Sequence, residues 1–467
     1  MPIFYPNSLN LAINPLAIAD GDMTRCVNVT NDQFFAKKKR PGYATYLGTP
    51  DNAEVTSLFN FTLNNGTQFW NYRLSGSVLY YSTQGTGAWT VCGNGTFAGL
   101  GTVDNAILNN TLIIGNGVNA TRHTTNGTAF TDTTAAPIAG GFADYQNRIY
   151  AMGTASDLFY STTGDATNWN STGTSDSSSI TIPGAGRLNS VMKISNNIVT
   201  SKNSGLFHQW NGFELNDLST KLGPTSASSI GNIEDYRFFG NRLGFFGFGG
   251  AKPEIISNPI EKQIYNDAQT GIAGTAFDNM TAGVYKYEYM ASVGNTTDDF
   301  TNEQVTNAIM VYDFQANTWG NFNFNVRPTS FLTYKDASGV EQFIFGDSTG
   351  QCYTYGGTAT SDNGSTIASV MEGLLHGGTL RDKKWGYIRL LFNPGAQAQV
   401  QIAPTNSFTK QTKNYITLGI GQDGVVEYKF PETTRSKFLF WKITEASRNA
   451  RFHFYGGEYE FEVIQKA

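Results

Sequence analysis

The middle of the chain alternates apolar and polar residues over short runs that end in polar turns. Four related segments share an alternating run, a turn with Gly or Asn and, in most copies, a Trp, and they are "LYYSTQGTGAWT" from Leu79, "LFYSTTGDATNW" from Leu158, "LFHQWNGFEL" from Leu206 and "MVYDFQANTW" from Met310. Weaker copies begin at Asn119, Glu254 and Cys352. The starts are roughly 40 to 55 residues apart, which is the spacing expected for a β-propeller blade of four short strands.

Apolar runs also precede these segments, each just after an Asn. They are "NNTLIIGNG", "YQNRIYAMG", "SNNIVTSKN" and "FGNRLGFFGFGG". We interpret the Asn as part of a turn that leads into an inner strand buried on both faces. Large flat side chains are predicted to fill the gaps between neighbouring sheets, at Trp89, Trp169, Trp210 and Trp319. The pattern predicts a propeller of six or seven blades over residues 51–360, and the alternative is an array of ordinary β-sandwiches with coincidental Trp spacing.

The two ends of the chain have a different texture. After a polar stretch of small residues that starts near Thr358, the runs "KWGYIRLLF", "AQVQIA", "VVEYKF" and "KFLFWKIT" follow one another. Alternating runs at this rhythm predict a separate antiparallel, sandwich-like β domain over residues 361–467. Residues 1–50 contain several prolines and are predicted to form an extended N-terminal arm. The predicted fold class is therefore all-β.

Composition supports short strands and argues against several classes of protein. Charged residues make up 15% of the chain, Gly occurs 51 times and aromatic residues reach 13%, which does not suit long amphipathic helices. The net charge of -5 argues against a general nucleic-acid binder. The chain has neither the apolar run of a membrane span nor the start of a secretion signal. Its three cysteines, Cys26, Cys92 and Cys352, are too far apart for a disulfide framework or a paired-cysteine metal site, and they suit a reducing compartment.

The segment "GDSTG", residues 346–350, resembles the loop around a reactive serine. A serine nucleophile needs a histidine base and an orienting acid, and none of the four histidines has a context that favours a triad. The flanking runs "QFIF" and "QCYTY" alternate like the two strands of a hairpin, and Asp and Gly are residues that a tight turn needs. We predict a structural role for Gly346, Asp347 and Gly350 in such a turn, and that Ser348 is not a nucleophile.

Other motifs for catalysis or cofactor binding are weaker. "GNGTFA" at Gly93 and "GNGVNA" at Gly115 match a loose dinucleotide pattern, but no helix-forming segment follows. "STTGDATNW" resembles the structural Asp-box turns of sialidase-like propellers, and the arginines needed to bind a substrate carboxylate are scattered. We interpret Asp298 and Asp299 as part of a solvated loop and not as a glycosidase pair. The sequence predicts that the protein is not an enzyme and has no cofactor or metal site.

The one concentrated basic cluster consists of Lys37, Lys38, Lys39 and Arg40. It is consistent with a solvated, exposed loop. It is also consistent with a contact to DNA phosphates or to a neighbouring subunit, because several like charges bind acidic surfaces readily. Both interpretations stay open at the level of sequence.

Several segments together resemble β-propeller proteins of bacteriophage virions. "DGDMTRCVNVTNDQFFAKKKRPGYATY" is similar to their opening, where an Asn-rich segment leads to a basic "RPGY" element before the first blade. "MVYDFQANTW" followed by "FLTYKDASGVEQFIFGDSTGQCYTY" resembles their paired strand and hairpin, and "KKWGYIRLLF" and "KFLFWKIT" resemble their C-terminal β segment. The order of these segments resembles the packaged-DNA stabilisation and tail-hub (nozzle) proteins of short-tailed phages. The middle blades here carry no large insertion that would form a nozzle or fibre-docking domain.

The resemblance implies a structural virion protein of the head–tail connector or tail hub. Such proteins assemble as rings, commonly hexamers, around the axial channel, where they close the portal and retain packaged DNA until ejection. The implied partners are other copies of the chain, the portal or adaptor, other tail proteins, DNA in the channel, and tail fibres. The implied location is the tail or head–tail interface of the virion, after assembly in the host cytoplasm. The alternative is a receptor- or glycan-binding propeller of a tail tip or baseplate.

Overall fold

A computed structural model describes most of the chain, and its regular elements are almost all β-strands. The described residues are 2–11, 17–32, 34–63, 66, 68–99, 101–172, 175–219, 221–264, 272–297, 304–407, 413–447 and 452–464. Within them the α-helices are α1 (Glu261–Ile264) and α2 (Gly274–Asp278), and each has about one turn. The predicted all-β class is confirmed.

Residues 1–50, predicted as an extended arm, supply five short strands to different sheets. These are β1 (Ile3–Phe4), β2 (Met23–Val27), β3 (Val29–Asn31), β4 (Lys37–Lys39) and β5 (Tyr43–Tyr46). The first four belong to the C-terminal sandwich, and β5 belongs to the propeller. The described parts of this segment therefore connect the two parts of the fold.

Five blades of four antiparallel strands follow along the chain. From the inner to the outer strand, blade 1 consists of β6 (Val55–Thr62), β7 (Phe69–Ser75), β8 (Val78–Thr83) and β9 (Thr90–Thr96), and blade 2 consists of β10 (Asp104–Leu108), β11 (Thr111–Gly115), β12 (Arg122–Thr124) and β13 (Thr131–Asp132). Blade 3 consists of β14 (Phe142–Tyr145), β15 (Arg148–Met152), β16 (Asp157–Tyr160) and β17 (Ser178–Thr181), and blade 4 consists of β18 (Leu188–Ile194), β19 (Asn197–Lys202), β20 (Phe207–Trp210) and β21 (Leu215–Ser219). Blade 5 consists of β22 (Gly231–Ile233), β23 (Tyr236–Asn241), β24 (Gly244–Phe248) and β25 (Glu254–Ile255).

The last two blades close the propeller ring and join it to the sandwich. Blade 6 contains β26 (Thr281–Tyr285), β27 (Glu288–Thr297), β28 (Gln304–Asp313) and β29 (Thr318–Asn323), and blade 7 contains β30 (Ser330–Lys335), β31 (Glu341–Gly346) and β32 (Cys352–Tyr355) with β5 as its outer strand. In the pairing of β5 with β32, Tyr43 lies opposite Tyr355. An N-terminal strand thus covers the outer edge of the last blade and closes the ring of blades.

The remaining strands form a sandwich with β1 to β4. They are β33 (Ser369–Leu375), β34 (Lys383–Phe392), β35 (Gln399–Thr405), β36 (Ile416–Leu418), β37 (Val425–Lys429), β38 (Arg435–Ser436), β39 (Phe438–Glu445) and β40 (His453–Val463). One sheet continues from blade 6 in the order β29-β2-β33-β39-β35-β36, and the other has the order β3-β4-β40-β34-β37, with β1 on β40 and β38 on β34. The buried side chains of Trp385, Trp441 and Phe454 lie in one hydrophobic core that also includes residues of blades 5 and 6.

The sequence repeat marks equivalent strands in most blades. The four clear copies form the third strands β8, β16, β20 and β28, and the weaker copies at Asn119 and Cys352 contain the third strands β12 and β32. The copy at Glu254 is out of phase, because it begins with β25, the fourth strand of blade 5. The third strand there, β24, reads "GFFGF" and is buried along its whole length, so it lacks the alternation that identifies the other copies.

The Asn-marked turns form tight hairpins inside the blades. Asn110 and Asn147 have φ angles of 62° and 57°, which is the left-handed backbone that a two-residue hairpin turn requires. These turns join the first strand of a blade to its second strand. The runs predicted as inner strands are therefore the buried second strands β11, β15 and β19, and in blade 5 the third strand β24, while β10, β14, β18 and β22 lie nearest the axis.

Candidate functional site

The innermost strands of the seven blades surround a central channel. A cavity of about 630 Å³ lies at the start of these strands and is lined by residues of all seven blades. A second cavity, of about 960 Å³, lies between blades 5, 6 and 7 and shares Ile230, Asn232, Ala282 and Phe331 with the first. The two cavities are thus parts of one opening along the propeller axis.

The charged groups of this channel are mostly held by neighbouring groups. Lys193 and Asp144 form an ion pair of 2.8 Å, and the Arg237 guanidinium donates a hydrogen bond to the Lys193 carbonyl oxygen. Asp104 accepts a 2.8 Å hydrogen bond from the backbone N–H of Phe142. Burial raises the pKa of Asp104 to about 6 and that hydrogen bond opposes the rise. The wall is otherwise dominated by Ser, Thr, Asn and small apolar residues.

The "GDSTG" segment is a hairpin turn between β31 and β32. Gly346 pairs with Cys352 across the hairpin, and Gly350 has a φ angle of 91°. The Asp347 carboxylate is buried and accepts hydrogen bonds from the backbone N–H groups of Thr349 and Gln351 at 2.8 and 3.0 Å, and from the hydroxyl groups of Thr349 and Tyr353. Ser348 is exposed at the tip of the turn. The Asp347 carboxylate therefore stabilises the turn, and it does not orient a nucleophile.

Each histidine has a different hydrogen-bond partner. At least one ring nitrogen of each histidine is hydrogen-bonded, in the pairs His123–Thr133, His208–Asp217, His376–Ile18 and His453–Asp32. The structure therefore does not bring a histidine and an acid together at Ser348. Among the described residues, no group of three or more His, Cys, Asp or Glu side chains is placed to hold a metal ion.

The other motifs weighed from the sequence lie in strands and turns. Gly93 lies within β9 and Gly115 ends β11, so neither precedes a helix. In "STTGDATNW" the Asp165 carboxylate accepts hydrogen bonds from the backbone N–H and the hydroxyl of Thr167, both at 2.8 Å. Asp298 and Asp299 lie outside the described residues. No helix in the described part of the chain is long and apolar enough to cross a membrane.

Arg40 is buried and does not form part of an exposed basic surface. Its guanidinium makes two hydrogen bonds to the Asp362 carboxylate, at 2.8 and 2.6 Å, and one to the Asn323 carbonyl oxygen, at 2.8 Å. The cation also lies 4.5 Å from the centre of the Phe324 ring. Arg40 thus joins the segment before β5 to the end of blade 6 and to the loop after blade 7.

Two of the three lysines also have partners within the chain. The Lys37 ammonium is buried and lies 2.7 Å from the Asn31 amide oxygen. Lys39 forms a 2.7 Å ion pair with Glu445, and both side chains are almost fully buried. Lys38 is half-buried, and the ion pairs of Lys39 and Arg40 do not involve it. The predicted contact with DNA or a subunit is therefore corrected for Lys37, Lys39 and Arg40, because each is needed for an internal contact.

The predicted structural tryptophans differ in burial. Trp169 is buried in the cluster between blades 2 and 3, where its indole N–H donates a 2.9 Å hydrogen bond to the Ala166 carbonyl oxygen. Trp319 is almost completely buried between blades 5 and 6, and its ring centre lies 5.1 Å from that of Phe245. Trp89 is half-buried and lies against the Tyr46 ring at the junction of blades 7 and 1.

Sequence reasoning missed an exposed apolar surface on the sandwich. We call it the outer sandwich face, and it consists of Ile3, Tyr5, Phe34, Phe35, Leu391 and Tyr455, which are between 40% and 75% exposed. The strand β1 lies along β40, and Leu391 of β34 pairs with Gly456 of β40, so these residues share neighbouring strands. The sequence signal is that positions expected to be polar in these alternating strands are apolar. Phe4, Leu390 and Phe454 lie in the core, and the apolar residues next to them in the chain are exposed.

Charged side chains on the outer sandwich face form ion pairs within the sheet. The Arg389 guanidinium forms ion pairs of 2.7 Å with Glu427 and 2.6 Å with Glu458. The Phe34–Phe35 turn beside it is held by Asp32, whose carboxylate accepts hydrogen bonds from the backbone N–H of Phe34 and lies 2.9 Å from the His453 ring. Aromatic residues with few free charges are typical of the central part of protein–protein interfaces.

These features define an all-β protein that consists of a propeller fused to a C-terminal β-sandwich. No family model matches the chain, and no curated protein matches it. Similar solved structures include YCF48 from Cyanidioschyzon merolae, with 12% identity over 66% of this chain and 97% of that chain and a TM-score of 0.42. BamB from Moraxella catarrhalis has 9% identity over 76% of this chain and 98% of that chain, with a TM-score of 0.38. The computationally designed Ika8 protein has 10% identity over 67% and 99%, with a TM-score of 0.40.

Proposed function

We propose that the protein is a structural component of a bacteriophage virion, located in the head–tail connector or tail hub. In this proposal copies of the chain form a ring, commonly a hexamer, that closes the portal and retains packaged DNA until ejection. The partners are the portal or adaptor, other tail proteins and tail fibres. The proposal starts from the resemblance of the N-terminal, hairpin and C-terminal segments to such virion proteins.

One structural observation carries the proposal further, and it is the outer sandwich face. Exposed large apolar residues of this density are uncommon on a monomeric surface and mark sites of protein contact. Here they lie on a sandwich whose sheet is continuous with blade 6, so a contact made by the sandwich is transmitted to a rigid disc. A repeated contact of this kind between copies closes into a ring when the rotation between neighbours fits.

The role of DNA in the proposal follows from charge and size. The cavity at the axis of a single propeller measures about 630 Å³ and is lined by side chains of all seven blades, so the DNA path is assigned to the space enclosed by the copies of a ring. The chain has a net charge of -5, and a wall that does not attract phosphates lets DNA slide. This arrangement needs no basic surface, in agreement with the internal partners of Lys37, Lys39 and Arg40.

Electron microscopy of the purified chain, alone and mixed with a portal complex, tests the proposal. We expect rings that bind the portal coaxially. The double variant Tyr5→Ser, Tyr455→Ser should abolish rings, because it makes the centre of the outer sandwich face polar. Phe213→Ser is the matched control, since Phe213 is 87% exposed but lies on blade 4. Binding to glycans or to host cells, without rings or portal binding, would instead support the receptor-binding alternative.

A further inference from the structure

The hairpin formed by β3 and β4 meets blade 6 at a pair of acidic side chains. Glu288 begins β27 and Asp313 ends β28, and the two residues lie opposite each other in the strand register. The Cβ atoms of such a pair are about 4.5 to 5.5 Å apart, and like charges at this separation are destabilising. The two carboxyl groups therefore lie close together at the contact between the hairpin and blade 6, which we call the seam.

Both carboxyl groups are bound by side chains of the hairpin. The Thr30 hydroxyl donates a hydrogen bond to the Glu288 carboxyl. The Asn31 amide donates hydrogen bonds to Asp313 at 2.6 Å and to the Thr318 hydroxyl at 3.1 Å, and the Asn31 oxygen accepts one from Lys37. Strand β3 is thus attached to blade 6 through the two acids.

Other titratable groups face this seam from every neighbouring element. They are Lys286 in the turn before β27, Lys37 and Lys38 on β4, Cys26 on β2, Asp22 before β2, Tyr312 on β28 and Tyr355 on β32. Burial raises the pKa of Glu288 to about 7; the Thr30 hydrogen bond opposes this rise and Asp313 adds to it. Burial also lowers the pKa of Lys37, although the acids around it oppose that effect.

We propose that a proton on the Glu288–Asp313 pair fastens the β3–β4 hairpin to blade 6, and that loss of this proton loosens the hairpin. The protonated pair carries one negative charge, which the Asn31 and Thr30 donors and nearby lysines can accommodate. The doubly ionised pair places two negative charges side by side in a seam where both side chains are partly buried. The hairpin also carries Phe34 and Phe35, so its opening moves part of the outer sandwich face.

The direction of the pH effect follows from the two states of Glu288. In the open hairpin its pKa returns towards the ordinary value of 4.5, whereas in the closed hairpin it is about 7. The closed state therefore binds the proton more tightly, and closure is most favourable below the lower value. As pH rises between these two values, the opening constant increases by up to about tenfold per pH unit, and it levels off above the upper one.

Hydrogen exchange of the hairpin amides in the full chain tests whether the acidic pair controls the contact between the hairpin and blade 6. Exchange rates at residues 29–31 and 36–40 are compared between the wild type and Glu288→Gln from pH 5 to pH 8. The intrinsic rate of amide exchange rises with pH equally in both proteins, so it cancels in the ratio of their rates. We expect the ratio of wild-type to variant rates to rise with pH and to level off near 7. The exposed Glu432→Gln variant should follow the wild type. A flat ratio would overturn the proposal, as would equal loosening of all blades.

A second variant keeps the test decisive if Glu288→Gln does not fold. Asp313→Asn removes the opposing charge but leaves Glu288 able to ionise. The pH at which hairpin exchange levels off should then fall below its wild-type value. An unchanged pH would show that the acidic pair does not control the hairpin and would contradict the proposal.

Discussion

Arg40 is buried, although it follows three lysines and a run of basic residues usually indicates an exposed loop. Its partner Asp362 lies 322 positions away along the chain, so no local pattern indicates the pair. The same holds for Lys39 and Glu445, which are 406 positions apart. By contrast, the role of Asp347 could be predicted, because its partners lie within the next six residues and the turn chemistry is local.

Replacement of Arg40 by Ala should destabilise the fold strongly. The substitution leaves the buried Asp362 carboxylate without its cation, which typically costs about 3 to 5 kcal/mol. Lys38→Ala, which removes a neighbouring charge without a buried ion pair, should change the stability by about 0.5 kcal/mol or less. Urea unfolding followed by tryptophan fluorescence measures both. Equal stability of the two variants would contradict the assigned role of Arg40.

The hairpin turn offers a similar comparison between adjacent residues. Asp347→Ala removes the acceptor of four hydrogen bonds and leaves buried donors unsatisfied, so we expect a loss of about 1 to 3 kcal/mol. Ser348→Ala should have almost no effect on stability, because Ser348 is exposed. A serine-directed fluorophosphonate should not label the wild-type chain at Ser348. Covalent labelling there would show that the turn is a reactive site.

At the scale of elements, the sequence predicts strands that pair with their neighbours in the chain. The repeated segments correctly predicted a strand in most blades, because alternation and turn residues are local signals. The distribution of β1 to β5 over three sheets could not be predicted in the same way. Their pairing with β40, β33 and β32 depends on edges formed by residues more than 300 positions later.

Blade closure by β5 can be tested by truncation. A chain that starts at residue 51 lacks β1 to β5, so β32 loses its outer neighbour and the core residue Tyr43 is missing from blade 7. We expect lower solubility and a broader thermal transition, because the ring of blades is open and an unpaired edge is exposed. The equimolar addition of a peptide of residues 40–50 should restore part of the stability. A truncated chain with wild-type unfolding would contradict closure by this strand.

Tryptophans between blades should contribute in proportion to their burial. Trp319→Ala creates a cavity between blades 5 and 6, and we expect a loss of about 3 to 5 kcal/mol. Trp89→Ala should cost clearly less, because Trp89 is half-buried whereas Trp319 is almost completely buried. Differential scanning calorimetry of both variants measures this difference. A larger effect for Trp89 would show that the predicted role applies at the junction of blades 7 and 1 and not at Trp319.

At the scale of the whole molecule, the sandwich and the propeller behave as one block in this account. The sheet that continues from blade 6 into the sandwich and the shared hydrophobic core leave no flexible linker between the described parts. The sequence predicted both parts but not their fusion, because the strand that joins them, β2, belongs to the N-terminal segment. A rigid block with one exposed apolar face is suited to repeated contacts between copies.

Native mass spectrometry of the purified protein measures whether copies of this block assemble. We expect a closed oligomer, commonly a hexamer, whose mass is unchanged in Phe213→Ser and falls to that of a monomer in the double variant Tyr5→Ser, Tyr455→Ser. A wild-type chain that remains monomeric at all concentrations, with and without the portal complex, would contradict it. An oligomer that persists in the double variant would show that the outer sandwich face does not join the copies.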